Sequence, residues 1–209
     1  MTKSDVSRLL NILDEHYPRE ACYLTYEQPW QLLVATILSA QCTDARVNMV
    51  TPVLFSKYPN MQLLAEAAVP DVAEIIKSTG LFNGKAQNIV NCMKIIVNDF
   101  NGEIPVDINI LTTFPGVGRK TGNLVLGHIY NIPGIVVDTH VIRVSTHLGL
   151  TIAKDPVKIE KDLMLALPKE HWIRFNTQII AHGRAVCTAR SPKCGKCKLS
   201  GLCLKNASE

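Results

Sequence analysis

Apolar residues recur with a period close to 3.6 residues along nearly the whole chain, and this pattern constrains the fold more than any other feature. Val6, Leu9 and Leu13 show it near the N-terminus, where Ser4 is a candidate helix cap. Alternation of period two is missing, and only the short run 134–137 looks strand-like. Helices are predicted at about 119–130, 139–149, 156–166 and 170–187. We therefore predict an all-α fold.

The composition is that of an ordinary globular protein. Hydrophobic residues make up 47% and charged residues 19% of the 209 residues, which excludes a disordered chain. No apolar run approaches the length of about 18 residues that a membrane-spanning helix needs. The N-terminal segment has neither a long apolar stretch nor a small-residue cleavage site, so we expect no secretory signal and a cytoplasmic location.

The net charge of +4 is unevenly distributed along the chain. Residues 171–209 hold seven Lys or Arg residues and one acid, a formal charge of +6, whereas residues 1–170 carry −2. The basic residues of this segment are Arg174, Arg184, Arg190, Lys193, Lys196, Lys198 and Lys205. The asymmetry fits either a surface for a polyanion, nucleic acid first, or a solvated lysine-rich end.

A glycine-containing turn precedes the predicted helix 119–130. The sequence FPGVGRKTG over residues 114–122 follows a short apolar segment, 108–111, and the two together predict helix, hairpin, helix. Such a turn presents backbone N–H groups and the positive end of a helix dipole to a phosphate, and Arg119 adds charge. Its spacing fits neither a Walker A loop nor a dinucleotide fingerprint. A purely structural turn between core helices is the alternative.

Two residues are candidates for reaction chemistry. Lys120 lies in the first turn of the hairpin helix, where the positive end of the dipole disfavours a charged ammonium. A neutral amine there would be a nucleophile suited to Schiff-base formation with a sugar carbon, and a phosphate-binding or solvated lysine is the alternative. Asp138 follows the run 134–137 and could stabilise positive charge, take up a proton, or cap the next helix.

Four of the seven cysteines fall within seventeen residues, with the spacing C-x6-C-x2-C-x5-C. They are Cys187, Cys194, Cys197 and Cys203. Disulfides are not expected in a cytosolic chain, so the cluster indicates metal binding. Soft sulfur ligands select zinc or iron–sulfur, and the spacing alone leaves both open.

Taken together, these residues resemble the endonuclease III family of the helix-hairpin-helix DNA glycosylase superfamily, across essentially the full chain. The matching blocks are LSAQCTD at 38–44, GLFNGKA at 80–86, FPGVGRKTG at 114–122, VDTHV at 137–141, and HGR at 182–184 leading into the four cysteines. Cys42 and Gly122 stand where alanine is commoner, and Ala185 where an aromatic residue is often found. These departures leave the fine substrate preference open.

The resemblance implies a bifunctional enzyme of base-excision repair. It would remove oxidised pyrimidines from damaged double-stranded DNA and cleave the abasic site by β-elimination through a lysine Schiff base. Lys120 would attack C1′, and Asp138 would be its carboxylate partner. Gln41 and Leu81 would fill the gap left by the extruded base. Further DNA contacts are expected from Gly116, Val117, Gly118, Arg119 and His140.

The resemblance also implies a [4Fe–4S] cluster on the four cysteines and a division into two domains. A six-helix domain would span residues 22–133, with the helix-hairpin-helix motif at about 108–128. The cluster domain would combine residues 1–21 and 134–209, with the active site between the two domains. We expect a monomer that is associated with the nucleoid of a bacterial-type cytoplasm.

Two alternative functions remain open at this level. The mismatch-specific adenine glycosylase branch shares the cluster, but it usually lacks lysine at the hairpin position and carries a further C-terminal domain. This chain has Lys120 and ends six residues after Cys203. A non-catalytic helix-hairpin-helix DNA-binding protein with structural zinc would have no need for Asp138.

Overall fold

The structure is a computed structural model that describes residues 1–18 and 22–204. Within these ranges the chain forms α-helices and short 3₁₀ turns, with no β-strand, and this confirms the predicted all-α fold. The α-helices are α1 (Lys3–His16), α2 (Pro29–Leu38), α3 (Asp44–Lys57), α4 (Met61–Ala65), α5 (Val69–Ile76), α6 (Phe82–Asp99), α7 (Ile108–Leu111), α8 (Arg119–Tyr130), α9 (Thr139–Leu148), α10 (Pro156–Ala166) and α11 (Trp172–Ala185). None of these helices is both long and apolar enough to cross a bilayer.

Local sequence signals account for the helix boundaries. The helices α8 and α10 occupy the predicted ranges, and α9 and α11 end within two residues of theirs. Asp155 caps α10 by accepting a hydrogen bond from the Lys158 N–H at 3.0 Å, and Pro156 stands in the first turn, where its missing N–H has no cost. Caps and apolar period therefore agree in these elements, which is why they were predictable.

One candidate helix cap was wrong. The first helix is capped by Thr2 and not by Ser4, because the Thr2 hydroxyl accepts from the Asp5 N–H while the Asp5 carboxylate accepts from the Thr2 N–H, a capping box. Residues 134–136 are buried and Val137 is partly buried, and the strand-like run 134–137 forms no strand in the described structure, as its shortness indicated. A strand needs a hydrogen-bonded neighbour, and an all-helical surrounding offers none.

The chain divides into two compact units. The first, Cys22–Tyr130, is here called the hairpin unit, and the second, Met1–Ala21 with Asn131–Glu209, the cluster unit. In the hairpin unit, α2 is buried on nearly all sides, and it packs against α3, α6 and α8. A central helix that is apolar around its circumference holds the surrounding helices and fixes the position of the hairpin.

The cluster unit has its own apolar core. Leu9 and Leu13 of α1 pack there with Phe175 and Ile179 of α11 and with residues of α9 and α10. Cys187, Cys197 and Cys203 lie against this core as partly buried side chains. The segment that carries the cysteines therefore packs against the helices of this core. Lys205 and Glu209 of the predicted basic segment lie outside the described residues.

Candidate functional site

The predicted hairpin is present as α7 and α8 joined by residues 112–118. Gly116 adopts φ +77°, a left-handed conformation, and a Cβ there would stand 3.0 Å from the Cβ of Asn88. Glycine is required at this position for both reasons. The Val117 N–H donates to the Phe114 carbonyl at 3.0 Å, and the Val117 side chain is buried. Val117 therefore shapes the turn from inside.

The exposed edge of the hairpin presents backbone N–H groups and two basic side chains. Within the described ranges, the N–H groups of Gly116 and Gly118 donate to no protein acceptor, and the first hydrogen bond of α8 runs from the Gly122 N–H to the Gly118 carbonyl. Arg119 and Lys120 follow directly and are exposed. Solvent-facing amides at a helix N-terminus, next to basic side chains, form an anion site.

Gln41 and Leu81, which sequence analysis assigned to the gap in the duplex, share an unusual backbone conformation. Their φ angles are +53° and +49°, a region in which residues other than glycine are uncommon. Both residues are exposed, and 64% of the Leu81 surface is open to solvent. Exposed side chains held in a costly conformation are candidates for a functional site.

A cavity of about 550 Å³ lies in the hairpin unit beside these residues. Its lining includes Leu81, Gly116, Ala40 and Lys85. Lys85 is buried, and burial lowers the pKa of its ammonium. Sequence analysis placed Lys85 inside a matched block but gave it no role, since neither burial nor hydrogen bonds can be read from the pattern.

In the cluster unit, Asp138 is the N-cap of α9. Its Oδ1 accepts hydrogen bonds from the His140 N–H at 2.9 Å and from the Val141 N–H at 2.8 Å. Its Oδ2 accepts no hydrogen bond within the described residues. Capping and chemistry were alternative interpretations of this residue, and the geometry assigns the cap to one oxygen and leaves the other available.

Arg143 is a residue whose importance the sequence did not show. Its Nε and Nη2 donate to the Cys187 carbonyl at 3.1 and 2.9 Å, and Nη2 also lies 3.2 Å from the Gly183 carbonyl and 3.1 Å from His140 Nδ1. A Cβ on Gly183 would stand 2.6 Å from that same His140 nitrogen. Arg143 thus ties the helix that Asp138 begins to the first of the four cysteines.

The four cysteines line one cavity of the cluster unit, together with His147. His147 Nδ1 is 3.6 Å from the Cys187 sulfur, and His182 Nε2 is 3.7 Å from the Cys197 sulfur. Burial lowers the pKa of His182 to about 4, so the ring is neutral near pH 7. The Tyr17 hydroxyl lies 3.1 Å from Nδ1 and can donate there, which leaves the ring N–H on the nitrogen that faces the sulfur.

This donor set fits an iron–sulfur cluster. Four thiols converge, and two imidazoles are close enough to support their sulfurs. Thiolates also bind zinc, so the geometry alone leaves open the choice between zinc and iron–sulfur, and the comparison with known proteins decides it.

The candidate residues are divided between the two units. Gln41, Leu81 and the hairpin residues up to Lys120 belong to the hairpin unit. Asp138, His140 and the four cysteines belong to the cluster unit. His140 is half-buried at the start of α9.

Comparison with known proteins agrees with this fold. Residues 34–169 match the HhH-GPD superfamily of base-excision DNA repair proteins, and residues 187–203 match the iron–sulfur binding domain of endonuclease III. Fold and site together thus define a helix-hairpin-helix base-excision repair protein.

Individual relatives and solved structures identify a family within this class of proteins. The chain is 52% identical to the endonuclease III of Synechocystis sp. over 202 residues, 96% of this chain and 92% of that protein. It is 37% identical to the endonuclease III of Escherichia coli K12 over 203 residues, 97% of this chain and 96% of that protein. A trapped covalent intermediate of an endonuclease III with DNA superposes with a TM-score of 0.94 at 39% identity, covering 100% of this chain and 98% of that one.

The chain belongs to the endonuclease III family. The predictions of a DNA glycosylase with abasic-site lyase activity and of a [4Fe–4S] cluster are confirmed by these matches.

Proposed function

We propose that this chain removes oxidised pyrimidines from duplex DNA and cleaves the resulting abasic strand with Lys120 as nucleophile and Asp138 as its carboxylate partner. The observation that carries the assignment is the exposed Lys120 amine in the first turn of α8, directly after a hairpin whose Gly116 and Gly118 amides have no protein acceptor in the described chain. An anion site adjoining a primary amine is what attack on a sugar bound by its phosphates requires.

The reaction begins with attack by the Lys120 amine on C1′. The N–C1′ bond forms, the bond from C1′ to the base breaks, and the base leaves with the bonding electron pair. Positive charge develops on the sugar as this happens, and the Asp138 carboxylate stabilises it. Opening of the sugar ring then gives an imine that joins the Lys120 nitrogen to the DNA.

The imine makes strand cleavage possible without further reagents. It withdraws electrons from C2′, so a proton can be removed there, and the C3′–O bond breaks by β-elimination with the phosphate as leaving group. Water then hydrolyses the imine and regenerates the Lys120 amine. Since elimination needs no divalent ion in this scheme, strand cleavage is expected to persist in a chelator such as EDTA.

DNA is held by groups from both units in this proposal. The Gly116 and Gly118 amides bind the phosphate backbone, and Arg119 adds charge there, while Val117 supports the turn from the core. Gln41 and Leu81 enter the duplex and fill the space of the extruded base. His140 contacts DNA from the first turn of α9.

The four cysteines would hold the [4Fe–4S] cluster, which would tie together residues 187–203. Around it, Lys193, Lys196 and Lys198 are exposed and face solvent with positive charge. We assign these lysines to phosphate contacts. We further propose that the protein acts as a monomer on nucleoid DNA.

The function is tested on three duplexes that differ at one position: thymine glycol, an abasic site, or unmodified thymine. The proposal predicts base release and strand cleavage for the first, strand cleavage for the second, and no reaction for the third. Cleavage of the abasic duplex without base release from thymine glycol would exclude the glycosylase activity on oxidised pyrimidines. Release of thymine from the unmodified duplex at a comparable rate would exclude selectivity for damage.

A further inference from the structure

Lys85 is a buried cation in the hairpin unit that the mechanism above does not use. Only 4% of its surface is exposed. Its Nζ donates to the Leu38 carbonyl at 2.9 Å and to the Thr79 carbonyl at 2.8 Å. In the described part of the chain it has no carboxylate partner. Burying an ammonium that is bound only by main-chain oxygens costs free energy, because no opposite charge compensates it. The two hydrogen bonds therefore call for a structural or functional explanation.

The two carbonyls belong to the ends of two helical elements. Leu38 is the last residue of α2, and Thr79 is the last residue of the 3₁₀ turn Lys77–Thr79 that continues α5. Carbonyls in a final helical turn lack partners within the helix and lie at the negative end of its dipole. One ammonium therefore caps two elements that are distant in sequence.

Each capped element leads directly into one of the residues proposed to enter DNA. Gln41 follows Leu38 by three residues, and Leu81 follows Thr79 by two. Both have a positive φ. The Lys85 backbone N–H also donates to the Leu81 carbonyl at 3.0 Å, the first hydrogen bond of α6, and this bond does not depend on the Lys85 side chain. Ala40, Leu81 and Lys85 line the same cavity.

We propose that Lys85 is a positioning residue that holds the Gln41 and Leu81 segments, before DNA binds, in the conformations in which their side chains enter the duplex. The proposal rests on the proposed function, which assigns gap filling to those two side chains. Its physical basis is preorganisation: a segment that is already ordered loses less conformational entropy on binding. The strained backbone of Gln41 and Leu81 persists because Lys85 fixes both segments.

The primary test compares Lys85→Met with Lys94→Met. Methionine keeps most of the side-chain length but has no N–H donor, and Lys94 is an exposed lysine on the same helix, α6. Each variant binds a duplex that carries a tetrahydrofuran abasic analogue opposite 2-aminopurine, whose fluorescence reports on stacking. Wild type and Lys94→Met should give the same fluorescence change. Lys85→Met should lose most of it and bind this duplex about tenfold or more weakly, as expected for the loss of charged hydrogen bonds.

Affinity for an undamaged duplex separates positioning from a merely structural role. Phosphate contacts dominate that affinity, so Lys85→Met should leave it within about twofold of wild type. A double-mutant cycle gives a second criterion, because Lys85→Met should cost little further affinity in a Leu81→Ala, Gln41→Ala background. Equal weakening on both duplexes, or a full additive cost in that background, would overturn the proposal.

Lys85→Gln provides a milder change, since its amide retains N–H donors for the carbonyls. Its fluorescence change and affinity should fall below those of wild type but less than those of Lys85→Met, and the comparison with wild type can be made even if the methionine variant does not fold. An affinity for the analogue duplex equal to wild type, with the full fluorescence change, would contradict the proposal.

Failure of this proposal is distinguishable from failure of the proposed function. If wild type does not process the thymine glycol duplex, the proposed function is wrong. If Leu81→Ala with Gln41→Ala gives the full fluorescence change, the gap-filling assignment is wrong. If neither of those results is found and Lys85→Met behaves as Lys94→Met does, only the role of Lys85 is wrong.

Discussion

At the scale of single residues, Asp138 has two roles, helix capping and the proposed stabilisation of charge on the sugar, and each role uses a different oxygen of the carboxylate. Oδ1 caps α9 through the His140 and Val141 N–H groups, and Oδ2 accepts no hydrogen bond in the described structure. An amide side chain can still accept those two hydrogen bonds with its oxygen, but it has no charge with which to stabilise the sugar. The two duties can therefore be separated by substitution.

We predict that Asp138→Asn retains the stability of the wild type but loses most of the activity, because the cap survives and the charge does not. Asp138→Ala should lose the activity and also about 0.5–2 kcal/mol of stability, the usual value of an N-cap. Thermal unfolding and single-turnover cleavage of the thymine glycol duplex measure the two effects. Equal stabilities for Asn and Ala variants would show that the cap contributes nothing.

At the scale of elements, the hairpin depends on the backbone of Gly116 more than on any side chain. Its φ is +77°, and a Cβ added at this position would lie 3.0–3.2 Å from side-chain atoms of Asn88 and Ile37. Gly118, two residues on, has no positive φ and no atom within 4 Å of a Cβ. Position 116 therefore needs glycine and position 118 does not, a difference that the sequence alone does not show.

Gly116→Ala should destabilise the protein by about 1 kcal/mol or more and weaken binding to every duplex, because the left-handed backbone and the close approach both disfavour a Cβ. Gly118→Ala, the matched substitution, should have a free energy of unfolding within about 0.5 kcal/mol of the wild-type value, as is usual for substitutions at open positions. Chemical denaturation and binding titrations measure both. A Gly116→Ala variant as stable as Gly118→Ala would refute the strain argument.

The cluster segment is a second element whose order depends on one side chain, Arg143. Its guanidinium binds the Cys187 carbonyl through two nitrogens and the Gly183 carbonyl through one. Planar bidentate contacts of this kind are not reproduced by lysine or glutamine.

Arg143→Gln should release iron to a chelator faster than wild type, because the residue beside the first ligand is no longer held. Arg174→Gln removes the same charge from the same unit without touching a cysteine and should release iron at the wild-type rate. The purified wild type should be yellow-brown with about four irons per chain. Visible absorbance during the chelator reaction gives the rates, and equal rates for the two variants would exclude the role of Arg143.

Elements with strong local signals were predictable from the sequence, and contacts distant in sequence were not. The boundaries of α8 and α10 follow from apolar period, caps and Pro156, and the four cysteines were recognisable by spacing. Lys85 stands inside a recognisable block and Arg143 two residues after one, yet their carbonyl partners are up to 47 and 44 residues away. A local pattern carries no information on such contacts, because only folding brings the donors and acceptors together.

At the scale of the whole molecule, positive charge is concentrated in the cluster unit, around the cysteines. Lys193, Lys196 and Lys198 are exposed there, and the Lys193 ammonium also donates to the Ala185 carbonyl at 3.0 Å. The same unit carries a second exposed trio on and before α10, Lys154, Lys158 and Lys161. The two sets have equal charge, so they separate a local phosphate contact from a general effect of net charge.

Neutralising Lys193, Lys196 and Lys198 to glutamine should weaken binding on damaged and undamaged duplexes alike. It should also reduce the slope of log affinity against log salt by about one for each lysine that neutralises a phosphate. Neutralising Lys154, Lys158 and Lys161 should leave that slope near the wild-type value. Equal slopes for the two triple variants would place the cluster segment away from DNA.

The central claim is that the Lys120 nitrogen becomes covalently joined to C1′ during turnover, and borohydride trapping tests it most directly. Borohydride reduces the imine to a stable amine, so wild type and the exposed-lysine control Lys94→Ala should give a covalent protein–DNA adduct on the thymine glycol duplex. Lys120→Ala should give none while still binding an abasic duplex through the hairpin amides and the basic segment. A Lys120→Ala variant that is trapped as efficiently as wild type would contradict the account, because the nucleophile would then be another amine.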